Sequence, residues 1–335
     1  MPIHTAASAA RAPLMAFLAM GAFWGTWHAF VPDVKAAVGA SDRALGIALL
    51  FVAAGAVPSM IAGGRLSDRA GPRLLPLAIA AFALAGILPG LARTPVELSA
   101  ALLVLGAASG LMDVVMNARV GAVEAATGVR AMHLAHALFA VVYLLAALLA
   151  GALRQASIGP LPALAGVLVT GSILALLSMR FSRKDGMRNV SAEEAGAKGR
   201  TIGVPVILLG LVAFAAFLAE NGWQSWSALF LERTYGAAPW LGSLGPATVG
   251  IALAAGRLGG QALSGRLADR SLMAGGAALA AAGGMGAALA PLPELAVAAL
   301  FLAQWASRCS RPPRSASRGA PPRPVPAARP SRLWE

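Results

Sequence analysis

The sequence GRLSDR at residues 64–69 is repeated as GRLADR at residues 265–270. Each copy follows the second long apolar stretch of its half of the chain. Two such copies at equivalent places indicate an internal duplication, and a repeat of this kind decides the architecture of the whole chain. In membrane proteins, duplication is typical of transporters whose two halves move about a central binding site.

The composition excludes a water-soluble protein. Of the 335 residues, 58% are hydrophobic and only 12% are charged, whereas soluble domains have roughly 45–50% apolar and about 25% charged residues. The apolar residues fall in runs close to the roughly 20 residues that cross a bilayer core. We therefore predict an all-α polytopic membrane protein with spans at residues 13–31, 44–63, 74–93, 97–118, 133–154, 160–180, 204–222 (with an extension to 231), 241–262 and 273–290. A tenth span begins near residue 294 and does not complete.

The basic residues lie mostly on alternate loops. Outside the tail, the poorer side has only Lys35, Arg43, Arg93, Arg154 and Arg233. The positive-inside rule places the richer side, which holds the N-terminus and both repeated loops, in the cytoplasm. We expect a multi-pass protein of the bacterial inner membrane. The net charge of +13 reflects this topology and a basic tail. Because the charge is dispersed over loops, nucleic-acid binding is disfavoured.

The chain divides into four predicted parts. They are an N-terminal six-helix bundle (residues 1–180), a cytoplasmic linker (181–203), a partial C-terminal bundle (204–303) and a disordered tail (304–335). The tail is so rich in arginine and proline that it can form neither a helix nor a core. A reading-frame change that replaced the end of the protein would give this composition. The alternative is a genuine basic tail that binds anionic lipid headgroups.

The longer stretch GRLSDRAGPR at residues 64–73 resembles the cytoplasmic signature of the major facilitator superfamily, between its second and third helices. The second copy resembles the equivalent loop between helices eight and nine. GLMDVVMNARVGAVE (110–124), HLAHALFA (133–140) and WQSWSALFLER (223–233) resemble a bacterial inner-membrane subgroup related to fucose permeases. The resemblance covers residues 10–303 and implies two six-helix bundles around a cavity that opens alternately to each side. In this chain the second bundle is incomplete, with about nine to ten spans in all.

The resemblance also implies a gate at the cytoplasmic side. In the family, the acid that corresponds to Asp68 is thought to latch against the start of helix eleven, which is a favourable place for a carboxylate. Helices eleven and twelve are missing from the pattern here, so Asp68 loses that partner. A truncated remnant that inserts but does not transport is therefore the alternative function. The predicted gating residues are Gly64, Asp68, Arg69, Gly71, Arg73, Gly265, Asp269 and Arg270.

Asp113 lies inside the predicted fourth span, with Asn117 one turn further on. An ionisable group within a span costs about 2.5–3.5 kcal/mol on insertion scales, so it is a functional candidate by default. The carboxylate and amide could bind substrate or take up a proton. The alternative is a structural ion pair with Arg119, Arg69 or Arg73.

A polar sequence, ENGWQSW at residues 220–226, interrupts the apolar seventh segment. It predicts a broken helix, which in transporters indicates a binding site. Glu220, Asn221, Trp223 and Trp226 are therefore candidates for substrate binding or proton coupling. Alternatively, Glu220 reaches the outer water and the tryptophans form an interfacial aromatic belt. Arg257 lies deep in helix eight, where it either pairs with Glu220 or clamps an anionic substrate.

Histidine appears at two informative places. His136, near the start of helix five, is a candidate proton-responsive gate because histidine titrates near neutral pH. With His133 it lacks the further ligands that a metal site needs, so no metal is predicted. His28 lies near Trp24 and Trp27 late in helix one, and we expect it at the outer interface.

The remaining motifs disfavour other classes of function. There is no nucleotide-binding loop of the GxxxxGK[ST] type, so ATP-driven transport by this chain is disfavoured. The sequence contains no nucleophile elbow, no HExxH motif and no paired carboxylates of the kind that would indicate an enzyme. The single cysteine, Cys309, allows no intrachain disulfide or thiolate cluster. We therefore expect a monomeric secondary active transporter without a cofactor, whose partners are a small solute, protons and the lipid bilayer.

Overall fold

The computed structural model of the chain describes residues 8–184, 204–263 and 269–309. These residues form ten long helices and no strand. A 3-10 turn (Gly71–Arg73) and a single helical turn (Pro239–Gly242) lie between long helices. The helices are α1 Arg11–Ala37, α2 Asp42–Ala70, α3 Leu74–Leu91, α4 Pro95–Thr127, α5 Ala131–Gln155, α6 Pro160–Lys184, α7 Val204–Tyr235, α8 Leu244–Leu263, α9 Asp269–Leu289 and α10 Pro293–Cys309.

The predicted helical membrane architecture is confirmed. Within the described residues, six helices, α1 to α6, are long and apolar enough to cross a membrane. Each predicted span has a helix at its place, and most helices extend a few residues beyond the apolar run because their polar ends continue the backbone hydrogen bonding. The linker is shorter at its start than predicted, since α6 continues to Lys184. Residues 185–203 lie outside the described part of the chain.

The predicted break in the seventh helix is wrong, because α7 is continuous from Val204 to Tyr235. The polar sequence contains no proline, and its side chains bond along the helix instead of opening the backbone. Gln224 Nε2 donates a hydrogen bond to Glu220 Oε1, one turn earlier, at 3.3 Å. A polar side chain that finds a partner one turn away does not disturb the helix.

The tenth helix is longer than predicted. It ends at Cys309, so the first residues assigned to the disordered tail are helical. Gln304 is only 2% exposed, and its Nε2 donates a hydrogen bond to Thr248 Oγ1 of α8 at 2.9 Å. This contact fixes the last part of α10 against α8. The prolines of the tail begin beyond Cys309, in residues 310–335, which lie outside the described part of the chain.

The first half is built around α1, which packs against α5 and α6, while α2 packs against α4. Large α1 side chains such as Phe17, Phe23 and Trp27 are almost completely buried in this core. Close approach needs small residues, as predicted. A Cβ atom at Gly21 would lie 2.7 Å from the carbonyl oxygen of Phe139 on α5, which no larger residue could accept without a shift.

The second half repeats part of this arrangement. Helix α8 packs against α10 as α2 packs against α4, and α9 packs against α10 as α3 packs against α4. The end of the molecule that holds residue 64 and the start of α1 is called the Gly64 end below. The opposite end, where α1, α5 and α7 finish, is called the Arg154 end.

Candidate functional site

Arg154, in the last turn of α5, is the most deeply buried charged group at the Arg154 end. Its side chain is only 2% exposed. It forms a bidentate ion pair with Asp33 near the end of α1. Nε donates to Oδ2 at 2.5 Å, and Nη2 donates to Oδ1 at 3.1 Å. Two parallel bonds between a guanidinium and a carboxylate give both strength and a fixed geometry.

The same guanidinium also binds Glu232 of α7, in the second half of the chain. Nη1 donates to Oε1 at 2.6 Å and Nη2 donates to Oε2 at 3.0 Å. The carboxylates of Asp33 and Glu232 remain partly exposed, at 36% and 19%. Arg154 thus binds two carboxylates, one from each half of the molecule, and joins the two halves.

A second, weaker ion pair lies beside this cluster. Arg233 of α7 contacts Asp42 at the start of α2 at 2.7 Å, and Lys35 contacts the same carboxylate at 3.2 Å. The side chains of Arg233 and Asp42 are 48% and 58% exposed. Water and salt screen the attraction between exposed charges, so this pair adds little to the contact between the halves.

Apolar packing between α5 and α8 extends the contact between the halves toward the middle of the helices. A Cβ atom at Gly250 of α8 would lie 2.9 Å from the carbonyl oxygen of Ala140 on α5. Tyr143 of α5 is buried with Val249 and Leu253 of α8 in the same apolar cluster. The halves are therefore packed together from the Arg154 end to about the middle of α5 and α8.

His28 lies inside this packed region, so its predicted place at the interface is wrong. The residue is only 3% exposed. Its Nδ1 atom is 2.8 Å from the hydroxyl of Tyr143 on α5, and its ring stacks on Trp24 with 5.3 Å between centroids. A buried histidine needs a polar partner, and the tyrosine hydroxyl supplies it without contact with water.

Asp113 and Asn117 lie together on α4 and both are half-buried. Asn117 Nδ2 donates to Asp113 Oδ1 at 3.1 Å and to the Asp113 carbonyl oxygen at 2.8 Å. In the part of the chain that the structure describes, no ion pair joins Asp113 to Arg119 or Arg73. That structural alternative is wrong for these two arginines. The side chain of Arg69 is not among those described.

The four candidate binding residues on α7 lie in two different environments. Glu220 and Asn221 are half-buried, and Glu220 accepts the hydrogen bond from Gln224. Trp223 and Trp226 line a cavity of about 480 Å³ between α7, α9 and α10. Trp226 also faces the first half, since a Cβ atom at Gly46 would lie 3.9 Å from its ring.

His136 of α5 is half-buried and packs edge-to-face on Phe17 of α1, with 5.1 Å between centroids. It lies nearer the Gly64 end than Tyr143 does. Among the described residues, His133 and His136 belong to no group of three or more side chains that could hold a metal ion.

The predicted gating residues lie partly outside the described structure. Gly71, with a φ of +58°, begins the 3-10 turn that reverses the chain after α2, and Arg73 is exposed. At Gly64 an added Cβ would meet no heavy atom within 4 Å. Asp68 and Arg69 lie in the last turn of α2, Asp269 and Arg270 begin α9, and Arg257 lies in α8. The side chains of these five residues are not described. Gly265 lies outside the described residues.

Sequence analysis missed the cluster of Asp33, Arg154 and Glu232. Arg154 was counted only as a loop charge, and neither carboxylate was a candidate. Each of the three falls at the end of an apolar stretch, where a charge usually reaches water. The one available signal was that these stretches end at the same side of the membrane with opposite charges.

The fold, with six membrane-length helices and two repeated halves, defines a polytopic helical membrane protein. The sequence-family model of the Major Facilitator Superfamily matches residues 14–309 of the chain. The chain belongs to that superfamily. Its placement with fucose-permease-like members stays a prediction.

Similar proteins support the same assignment. An uncharacterized MFS-type transporter of Yersinia pestis is 33% identical over 270 residues, which are 80% of this chain and 69% of the relative. The membrane protein MosC of Rhizobium meliloti is 28% identical over 80% of this chain and 65% of its own length. The chain thus spans about two thirds of the length of the curated relatives that it matches.

Solved structures show the same fold at low identity. A mutant of the nucleoside transporter NupG superposes with a TM-score of 0.69 at 12% identity, over 90% of this chain and 80% of that one. A bacterial homologue of the human lysosomal transporter Spinster, in an inward-facing and occupied conformation, gives 0.63 at 17% identity, over 90% of this chain and 72% of that one.

Proposed function

We propose that this membrane transporter moves a small solute by alternating access and couples the movement to protons. The observation that carries the proposal is the ion pair of Arg154 with Glu232, which joins the two halves at one end of the molecule. A transporter with a closed end must open it to release or accept solute. Ion pairs between rigid bundles suit that purpose because their carboxylates can regain water when the bundles part.

The distribution of basic residues supports an orientation for this closed end. The Gly64 end carries the arginine-rich loops, so the positive-inside rule assigns it to the cytoplasm of a bacterial cell. The Arg154 end then faces outward, and the described conformation is closed to the outside.

Two carboxylates within the helices are the proposed sites of proton coupling. Asp113 lies on α4 in the first half, and Glu220 lies on α7 in the second half. Each has an amide side chain, Asn117 or Gln224, on the same helix within hydrogen-bond distance. An intramembrane carboxylate is costly to keep charged, so uptake of a proton during the cycle is favourable. His136 and Asn221 are proposed to contribute to the same pathway, with Arg257 as a counter-charge on α8.

The test is transport by the purified full-length chain in liposomes that contain a fluorescent pH indicator. L-fucose and uridine serve as probe solutes, chosen from the resemblance to fucose permeases and from the NupG fold. We expect one of them to drive a pH change inside the vesicles, and Glu220→Gln to abolish it.

Glu294→Gln is the matched control, because Glu294 is an exposed carboxylate in the first turn of α10. It should leave the pH signal unchanged. Solute flux without any pH change would refute proton coupling but would leave solute transport standing. Absence of flux for a panel of solutes, with the protein correctly inserted, would favour the non-transporting alternative.

A further inference from the structure

The groups that bind the guanidinium of Arg154 divide unequally between the two halves of the molecule. Three of them belong to the second half: the carboxylate of Glu232, the carbonyl oxygen of Pro239 at 3.4 Å and the hydroxyl of Ser243 at 3.5 Å. Among the described residues, Asp33 is the only partner of this guanidinium that lies in the first half, as Arg154 itself does. When the halves part, Arg154 therefore loses three partners and keeps one.

The three partners in the second half are packed together. The hydroxyl of Ser243 donates a hydrogen bond to the carbonyl oxygen of Pro239 at 2.8 Å. A Cβ atom at Gly242 would lie 2.7 Å from the Cγ atom of Glu232, so the short turn Pro239–Gly242 lies directly against the Glu232 side chain. These groups would leave Arg154 together when α7 and α8 move.

Asp33 and Arg154, in contrast, are held together within the first half. Phe30, one turn before Asp33, belongs to the same buried apolar cluster as Ala150, one turn before Arg154. Helices α1 and α5 are thus in contact beside the ion pair, and its bidentate geometry fixes the guanidinium on the Asp33 carboxylate. Separation of the two halves does not stretch this pair.

The burial of Arg154 makes the partner that remains important. Its side chain is only 2% exposed, and a buried charge that loses its counter-charge is strongly destabilised. If Glu232 were the only carboxylate at this guanidinium, each opening of the Arg154 end would leave Arg154 unpaired. With Asp33 present, Arg154 has a counter-charge whether the end is closed or open.

We propose that Asp33 is a positioning residue that keeps Arg154 paired while the Arg154 end opens, and thereby lowers the free energy needed for opening. Asp33 acts through Arg154 and does not need to touch the solute. It also shares the guanidinium with Glu232, which weakens the hold of Arg154 on the second half in the closed form. The inference rests on the proposed function only in requiring that this end opens.

Cysteine labelling measures the opening. The reporter is Ala247→Cys in a Cys309→Ala background, with the full chain in lipid nanodiscs and a water-soluble maleimide as the probe. Ala247 is only 2% exposed. It lies on α8 between Ser243 and Gly250, both of which contact α5, so its labelling requires separation of α8 from α5.

The two carboxylates should affect the labelling rate in opposite directions. Glu232→Gln weakens the contact between the halves and should raise the rate at least tenfold. Asp33→Asn should lower it at least fivefold, because opening then leaves Arg154 without a counter-charge. Asp33→Ser is a second neutral variant and should lower the rate by a similar factor. If Asp33 only stabilised the cluster, its loss would raise the rate, as the loss of Glu232 does.

Two controls determine whether the effect depends on Arg154. Asp42→Asn is the matched variant, since Asp42 is an exposed carboxylate at the same end, and it should change the rate less than twofold. In an Arg154→Gln background, Asp33→Asn should also change the rate less than twofold, because no guanidinium remains to be compensated.

Faster labelling in Asp33→Asn, or an unchanged rate, overturns the proposal. Absence of labelling even in Glu232→Gln overturns it as well, because the Arg154 end then does not open. None of these measurements needs a solute or a proton gradient. Opposite shifts in the two variants without any solute flux would therefore refute the proposed transport and support the role of Asp33.

Discussion

Arg154 on α5 and Glu232 on α7 form a bidentate ion pair that joins the two halves of the chain at a single guanidinium. The same guanidinium holds Asp33 of α1. Because Arg154 is buried, removing it leaves two carboxylates close together without their counter-charge. Breaking a buried pair by deleting one partner costs about 3–5 kcal/mol, far more than the loss of an exposed pair.

The first prediction concerns this ion pair. Arg154→Met should open the Arg154 end and raise the rate at which a water-soluble maleimide labels Ser243→Cys in a Cys309→Ala background. Ser243 is fully buried beside Arg154 in the closed form. We expect at least a tenfold increase, which corresponds to about 1.4 kcal/mol of the lost stabilisation.

Arg233→Met is the matched control for this experiment, since it removes an exposed pair at the same end. It should change the labelling rate less than about threefold, in line with the small contribution of surface pairs. Equal acceleration by the two variants would show that Arg154 does not hold the halves together.

The second prediction concerns Asp113. Asp113→Asn mimics the protonated carboxyl, so solute movement should continue down its gradient while the coupled pH signal is lost. Asn117→Ala removes the amide that donates to the Asp113 carboxylate. This variant should reduce the coupled pH signal, because the Asp113 side chain loses the hydrogen bond that holds it in one orientation.

Glu97→Gln provides the comparison for Asp113, because Glu97 lies on the same helix at its exposed start. Its pH signal should match that of the unmodified chain. A coupled signal that survives Asp113→Asn would remove this residue from the proton pathway and leave Glu220 as the remaining candidate carboxylate.

The third prediction concerns the buried pair of His28 and Tyr143. Tyr143→Phe leaves the His28 Nδ1 atom buried without its hydroxyl partner, which costs about 1–3 kcal/mol. The midpoint of thermal unfolding in detergent should fall. The double variant His28→Leu with Tyr143→Phe should recover most of the loss, since two apolar partners of similar shape carry no unpaired polar atom. A double variant less stable than Tyr143→Phe alone would contradict this account.

The sequence predicted the class of fold because its signals are local. Apolar runs of membrane-spanning length and a repeated loop at residues 64–69 and 265–270 need no knowledge of tertiary contacts. The close approach of α1 to α5 was also predictable from Gly21 and Gly25, since small residues four apart allow backbones to approach.

Two errors in the sequence-based prediction concern contacts between distant helices, and a third concerns a contact within one helix. Arg154 at the end of an apolar run looks like a loop charge until Asp33 and Glu232 are brought to it in space. His28 looks interfacial until Tyr143 supplies its partner. The polar stretch of α7 looked like a break because the pattern does not show that Gln224 satisfies Glu220 within the helix.

The last prediction concerns the packing of α2 against α4. A Cβ atom at Gly106 would collide with the backbone carbonyl of Val52, whereas one at Gly121 on the same helix would meet nothing within 4 Å. Gly106→Ala should therefore destabilise the first half by about 1–3 kcal/mol, the usual cost of overpacking. Gly121→Ala should be neutral or stabilise α4 by about 0.5–1 kcal/mol, because alanine favours a helix over glycine. Unfolding in mixed micelles of increasing SDS content measures both, and equal midpoints for the two variants would mean that α2 and α4 are not in backbone contact at Gly106.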